Sequence, residues 1–179
     1  SIPWKVEENR KETYSLLAIN TAIGNGKSMI SLLNSSVNGK TIRITSIKII
    51  NTQRTAVTGI VAEFRILRMT GHSAGTPLTA SAFDTDDIID ANVTALTGAT
   101  ITGEASIPLL RYFWSSDEWV VGTVDVESSQ HAMQSLIAAY SPRQTEKPIT
   151  LRSGNGLTIK QITNSTAGTF DIEVIFTVE

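Results

Sequence analysis

From Thr13 onward, polar and apolar residues alternate in short runs broken by Gly, Asn and Ser, and a 3.6-residue period is hardly sustained. Successive side chains of a strand point to opposite faces of a sheet, so this pattern predicts a β-sandwich or barrel. Three runs carry it most clearly. In GIVAEFRILR, Ile60, Ala62, Phe64 and Ile66 share one face, while Glu63 and Arg65 point the other way. In TFDIEVIFTVE, Phe170, Ile172, Val174, Phe176 and Val178 oppose Asp171, Glu173 and Thr177, which predicts a long half-buried strand. In TIRITSIKII the apolar phase runs through Ile42 and Ile44, slips at Ser46, and resumes at Ile47 and Ile49. A β-bulge at the slip restores one inward face.

The pairs Asn25-Gly26, Asn38-Gly39 and Asn155-Gly156 predict tight hairpin turns, because both residue types tolerate positive φ. The first lies in GNGKS, the tail of a phosphate-cradling loop. Gly26, Lys27 and Ser28 fit Gly-x-x-x-x-Gly-Lys-Ser, but Thr21 stands where the first glycine belongs. The run Met29 to Leu33, stopped by Asn34-Ser35-Ser36, is too short for the helix on which phosphates dock. A shared turn accounts for all three pairs; a phosphate site accounts for one.

Two segments depart from the strand pattern. SQHAMQSLIAAY spaces Met133, Leu136, Ile137 and Tyr140 at helical intervals and predicts one short helix. Residues 1–12 are polar and charged apart from Ile2, Pro3, Val6 and the aromatic Trp4, and read as an N-terminal arm before a single domain over 13–179. The plain reading of the arm is a frayed terminus; the functional one is docking on a neighbouring subunit through Trp4.

A chain of 179 residues suits one domain. With 41% hydrophobic and 18% charged residues and a mean hydropathy of +0.03, much of the surface must be Ser, Thr, Asn or apolar, which favours assembly. The net charge of −2, without a Lys/Arg run, argues against a nucleic-acid partner. No apolar span approaches 18 residues, so no membrane crossing is expected. The absence of cysteine excludes thiol chemistry and disulfides, and favours an intracellular origin.

Candidate chemistry is sparse, and no catalytic, cofactor-binding or metal-binding residue is assigned. His72 reads as a loop residue in MTGHSAGTP; a Ser-His-Asp arrangement around it lacks a Gly-x-Ser-x-Gly elbow. His131 has no partner at ligand spacing. Asp84, Asp86, Asp87 and Asp90 raise calcium, but the EF-hand spacing and its glycine are absent, and a solvated turn is the plainer reading. Asp117 and Glu118 form an acid/base pair only if their environments differ. The stretch RYFWSSDEW concentrates Tyr112, Phe113, Trp114 and Trp119 in a chain that is 6% aromatic. Alternate members filling the core is the plain reading; Trp4, Tyr112, Trp114 and Trp119 are the candidates for partner binding, and a sugar platform is the third reading.

In their order, three phrases resemble the β-sandwich structural proteins of tailed-bacteriophage virions, of the head decoration or cement type. These are NGKTIRITSIKI, FRILRMTGHSAGTPLTASAFDTDD and KPITLRSGNGLTIKQITNSTAGTFDIEVIFTVE, which cover Asn38 to Asp87 and Lys147 to Glu179; Ile88 to Glu146 matches no such pattern. Where those proteins often carry Gly-Glu-Gly, this chain has Gly154-Asn155-Gly156, which keeps the turn and removes a carboxylate that might pair with Arg152. The resemblance implies an all-β, antiparallel, jelly-roll-like sandwich with at most one short helix. It implies a non-enzymatic protein without cofactors, made in the host cytoplasm and carried on the capsid exterior. Its partners would be the major capsid protein and further copies of itself, a homotrimer being favoured. The alternative is a carbohydrate- or receptor-binding module of a phage tail or fibre on the same fold, with Tyr112, Trp114 and Trp119 lining a groove and Asp117 and Glu118 accepting sugar hydroxyls.

Overall fold

The structure, a computed structural model, describes residues 11–52, 60–115, 136–163 and 168–179. Among these, no residue is helical and the regular structure is antiparallel sheet, which makes the chain an all-β sandwich. The first sheet runs in the order β11 (Leu136–Tyr140), β3 (Ile42–Asn51), β14 (Thr169–Val178), β1 (Glu12–Ala22) and β7 (Ser81–Ala82), with β12 (Ile149–Leu151) also paired to β3. The second runs β10 (Leu110–Ser115), β4 (Val61–Met69), β13 (Asn155–Gln161), β2 (Lys27–Asn34), β8 (Val93–Thr97) and β6 (Thr76–Pro77). A small third pair joins β5 (Gly71–Ser73) to β9 (Thr100–Thr102). Strands β1 to β4 alternate between the two large sheets, as do β12, β13 and β14, which is the jelly-roll-like habit.

The alternating faces meet in one core. Ile42, Ile44, Ile47, Ile49, Ala62, Phe64, Ile66, Phe170, Ile172 and Phe176 are wholly buried. The predicted bulge is present: Ile175 opposes Ser46 and Phe176 opposes Ile44, so Thr45 is the extra residue, and its hydroxyl donates to the Ile175 carbonyl at 3.2 Å. Phe170 takes the edge-on rings of Phe64 at 5.0 Å and Trp114 at 5.4 Å, which ties the two sheets together near β10.

Asn25-Gly26 and Asn38-Gly39 mark connections that are not hairpins: they cross from one large sheet to the other, β1 to β2 and β2 to β3, as the β12–β13 connection also does. The third predicted turn is corrected: Asn155-Gly156 opens β13, opposite Asn34 and Leu33. A two-residue hairpin would make its flanking strands neighbours, yet β14 and β7 already occupy the edges of β1, and β13 and β8 those of β2. Between β12 and β13 the left-handed residue is Gly154 (φ +84°), while Gly156 lies inside β13.

The predicted short helix is corrected. Its last five residues, Leu136 to Tyr140, form β11 on the edge of β3, with Ala138 buried opposite Ile49. An open strand edge supplies backbone partners that outweigh the modest helix preference of Ala138 and Ala139. Residues 129–135 of that segment lie outside the described residues, as do 1–10 of the arm. Lys11 and Glu12 are already engaged: Glu12 opposes Val178, and the Lys11 ammonium is 2.9 Å from Glu179.

Candidate functional site

Among the described residues, the outer face of the second sheet gathers two groups of polar side chains with defined partners. Alternation along β4 turns Glu63 and Arg65 outward, and the β4–β10 register sets Phe113 beside Glu63 and Arg111 beside Arg65. Glu63 is nevertheless only 6% exposed, because the two guanidinium groups close over it. Arg111 Nε donates to Glu63 Oε1 at 2.8 Å, and Arg65 Nε and Nη2 reach the same carboxylate at 3.3 and 3.4 Å. Burial works to raise the pKa of Glu63, but hydrogen bonds from Arg111 and then Arg65 hold it below the usual carboxylate value. The Arg111 guanidinium also lies 4.9 Å from the centroid of the Phe113 ring. Two guanidinium groups against one carboxylate leave the cluster with a net positive charge.

Further along the same face, the β5–β9 pair covers Ser31 and Thr94. His72 Nδ1 shares a hydrogen bond with Ser31 Oγ at 2.6 Å, and Nε2 shares one with Thr94 Oγ1 at 2.8 Å. Ser28 and Thr158 share another at 2.8 Å in the same buried layer, and Lys160 Nζ meets Glu104 at 2.6 Å. His72 therefore lies in a strand, not in the loop that its Gly/Ser-rich surroundings predict. Its contact with Ser31 has the spacing of a nucleophile and base, but Ser31 is wholly buried and the second imidazole nitrogen meets a hydroxyl instead of a carboxylate. Burial pushes the His72 pKa down.

The acidic turn projects from the opposite edge of the sandwich, beyond β7. Asp84 shapes it: its side chain accepts the Asp86 amide at 3.0 Å and its carbonyl accepts that of Asp87 at 3.0 Å. Asp90 turns a separate loop through the Asn92 amide at 2.8 Å. Among the described residues no three His, Asp or Glu side chains are placed to hold a metal ion. Phe83, Asp84, Thr85, Asp87, Lys11, Thr13 and Thr177 line an open depression of about 800 Å³ there. Beneath it the Tyr14 hydroxyl donates to Glu12 at 3.1 Å, and burial together with that carboxylate pushes the phenol up to about 12.

The aromatic stretch divides by parity. Tyr112 and Trp114 are half-buried against the core, Trp114 on Phe170, whereas Phe113 between them is 61% exposed. Trp4, Asp117, Glu118, Trp119 and His131 lie outside the described residues. GNGKS forms no phosphate cradle: Lys27 opens β2, and its ammonium donates to the Ala22 carbonyl at 2.6 Å. Sequence reasoning missed the Glu63, Arg65 and Arg111 cluster, whose only signal was a Glu and an Arg on one face of a predicted strand; Arg111 arrives through strand pairing. Comparison of the chain with protein-family models, with curated proteins and with solved structures finds no match.

Proposed function

We propose that the chain is a non-enzymatic structural protein of a phage virion, a head decoration or cement protein that binds the outer capsid surface and strengthens the coat lattice. The observation that best supports this reading is the segregation of reactive from adhesive groups. Ser31 and His72 satisfy each other where β5 lies over β2, while Arg111 and Phe113 stand outward on β10. Arginine and aromatic side chains held in place from beneath lose little freedom on contact and suit adhesion by surface fit. Repeated around a lattice, several weak contacts to the major capsid protein act together. The order of the three phrases described above adds to the reading, and the arm with Trp4 is a second point of attachment to coat protein.

The saccharide-binding alternative depends on Tyr112, Trp114 and Trp119 lining a groove. The half-buried placement of Tyr112 and Trp114 against the core does not favour it. Co-sedimentation of the purified protein with capsids of the phage that encodes it tests the proposal. The expected result is saturable binding that makes capsids more resistant to heat, with occupancy reduced by removing residues 1–10. No binding at micromolar concentration, or saturable binding on a glycan array lost in Trp114→Ala with an intact fold, would overturn it.

A further inference from the structure

Of the five phenylalanines, Phe64, Phe170 and Phe176 are wholly buried, while Phe83 and Phe113 are 65% and 61% exposed. Each exposed ring stands where charge of one sign is in excess. Phe113 lies under Arg111 and pairs with Glu63, the one carboxylate shared by the Arg111 and Arg65 guanidinium groups. Phe83 stands with Asp84, Asp86 and Asp87 and near Glu12, while the neighbouring Lys11 is already paired with Glu179. Burial, then Asp84, Glu12 and Asp86, raise the pKa of Asp87, as expected where negative charge lacks a counter-charge. Apolar surface extends both patches: Leu109 shares the outer face of Arg111 and Phe113, and Ile88 follows the acidic turn at 84% exposure.

The two patches lie on opposite edges of the sandwich, β10 beside β11 at one and β7 at the other. Surfaces that are complementary but not identical pair head to tail and generate a ring when the rotation closes, not a two-fold dimer. We propose that the chain assembles with copies of itself in this way, with Arg111 and Phe113 of one copy entering the depression formed by Phe83, Asp84 and Asp87 of the next. A guanidinium has five N–H donors, and Glu63 engages those of Nε and Nη2 on Arg111, which leaves others for a second carboxylate. The Phe83 ring offers the same guanidinium an aromatic surface. This assembly stands independently of whether a capsid is the final partner.

Sedimentation velocity on two variants and their mixture tests it. Phe113→Ser removes the basic patch's ring and leaves the acidic patch intact; Phe83→Ser with Asp87→Lys does the reverse, and these side chains are exposed or carry no hydrogen-bonded partner that the fold needs. The wild type is expected to run as a species of three or more chains, and each variant alone as a monomer. Mixed one to one, the variants are expected to form a heterodimer that grows no further, because only one intact pair of patches is present. Raising salt from about 0.05 M to about 1 M should dissociate the wild-type oligomer, since the screening length falls to about 3 Å. A wild-type monomer or dimer, a variant that assembles as the wild type does, a mixture that stays monomeric, or a salt-insensitive oligomer would each overturn the proposal.

Discussion

Arg111 Nε lies 2.8 Å from Glu63 Oε1 and roofs a carboxylate that strand alternation alone would have left in water. Removing one partner of a buried pair leaves an uncompensated charge, but here Arg65 shares the roof. Arg111→Met and Arg65→Met should each cost about 1 kcal/mol, since one guanidinium still covers Glu63 and both are partly screened by solvent. Together they should cost about 3–5 kcal/mol, a clear departure from additivity. Adding Glu63→Gln to the double variant should recover most of the loss. Urea unfolding of the set measures this, and strict additivity would mean that water reaches Glu63 freely.

The same cluster sets an acid limit. Because the folded pKa of Glu63 lies below its unfolded value, its contribution is complete above the unfolded pKa of about 4.3 and is lost as pH falls through the folded one. Wild-type stability should therefore drop on acidification below about pH 4 more steeply than that of Glu63→Gln. Parallel unfolding curves for the two proteins between about pH 5 and pH 2 would contradict the assignment.

Neighbouring positions on β10 should respond in opposite ways. Trp114→Ala removes a ring packed edge-on against Phe170 and should cost about 2–4 kcal/mol, at the lower end because the indole is only half-buried. Phe113→Ala should change stability by no more than about 0.5 kcal/mol, because its ring is mostly in water. Thermal unfolding of both variants decides whether the alternation observed here is the one that operates in solution.

What was legible in the sequence follows from range. The faces of β3, β4 and β14 and a bulge near Ser46, which falls at Thr45, were readable because a period of two needs only local information. Asn25-Gly26 and Asn38-Gly39 announced turns and Asn155-Gly156 did not, since it pairs within β13; whether a turn joins neighbours or crosses between sheets depends on which edges are already taken, as β14 and β7 take those of β1. Helical spacing from Met133 to Tyr140 misled for the same reason, since the edge of β3 decides the fate of a short apolar run. The site was least legible. Glu63 and Arg111 are 48 residues apart and meet only through the pairing of β4 with β10, and His72 meets Ser31 across 41 residues.

Two glycines, one in the β12–β13 turn and one inside β13, separate backbone conformation from close packing. Gly154 has φ +84° with open space around it, so Gly154→Ala should cost about 1 kcal/mol from conformation alone. At Gly156 an added Cβ would lie 2.5 Å from Met69 Cε and 2.7 Å from the Leu32 carbonyl. The thioether can move, but the carbonyl belongs to a paired strand, so Gly156→Ala should cost more, about 2–3 kcal/mol. Met69→Ala placed in the Gly156→Ala background should relieve only part of that strain. Equal costs for the two glycine variants would show that β2 yields where the register says it is held.

His72 makes the most specific solution prediction, because its partners on the sheet are the neutral hydroxyls of Ser31 and Thr94. Burial lowers its folded pKa, so on acidification the unfolded chain takes up the proton first. The contribution of His72 is therefore complete above the unfolded pKa of about 6.5 and is lost progressively as pH falls below it, levelling off under the folded value. Melting temperature should fall between about pH 7.5 and pH 5, and more steeply in the wild type than in His72→Gln. His131 is common to both proteins, so the difference in slope belongs to His72. Ser31→Ala should cost about 1 kcal/mol at neutral pH, because it leaves the imidazole Nδ1 without its hydroxyl partner. A His72 resonance that already titrates near 6.5 in the wild type would mean that β5 and β9 do not shield the ring.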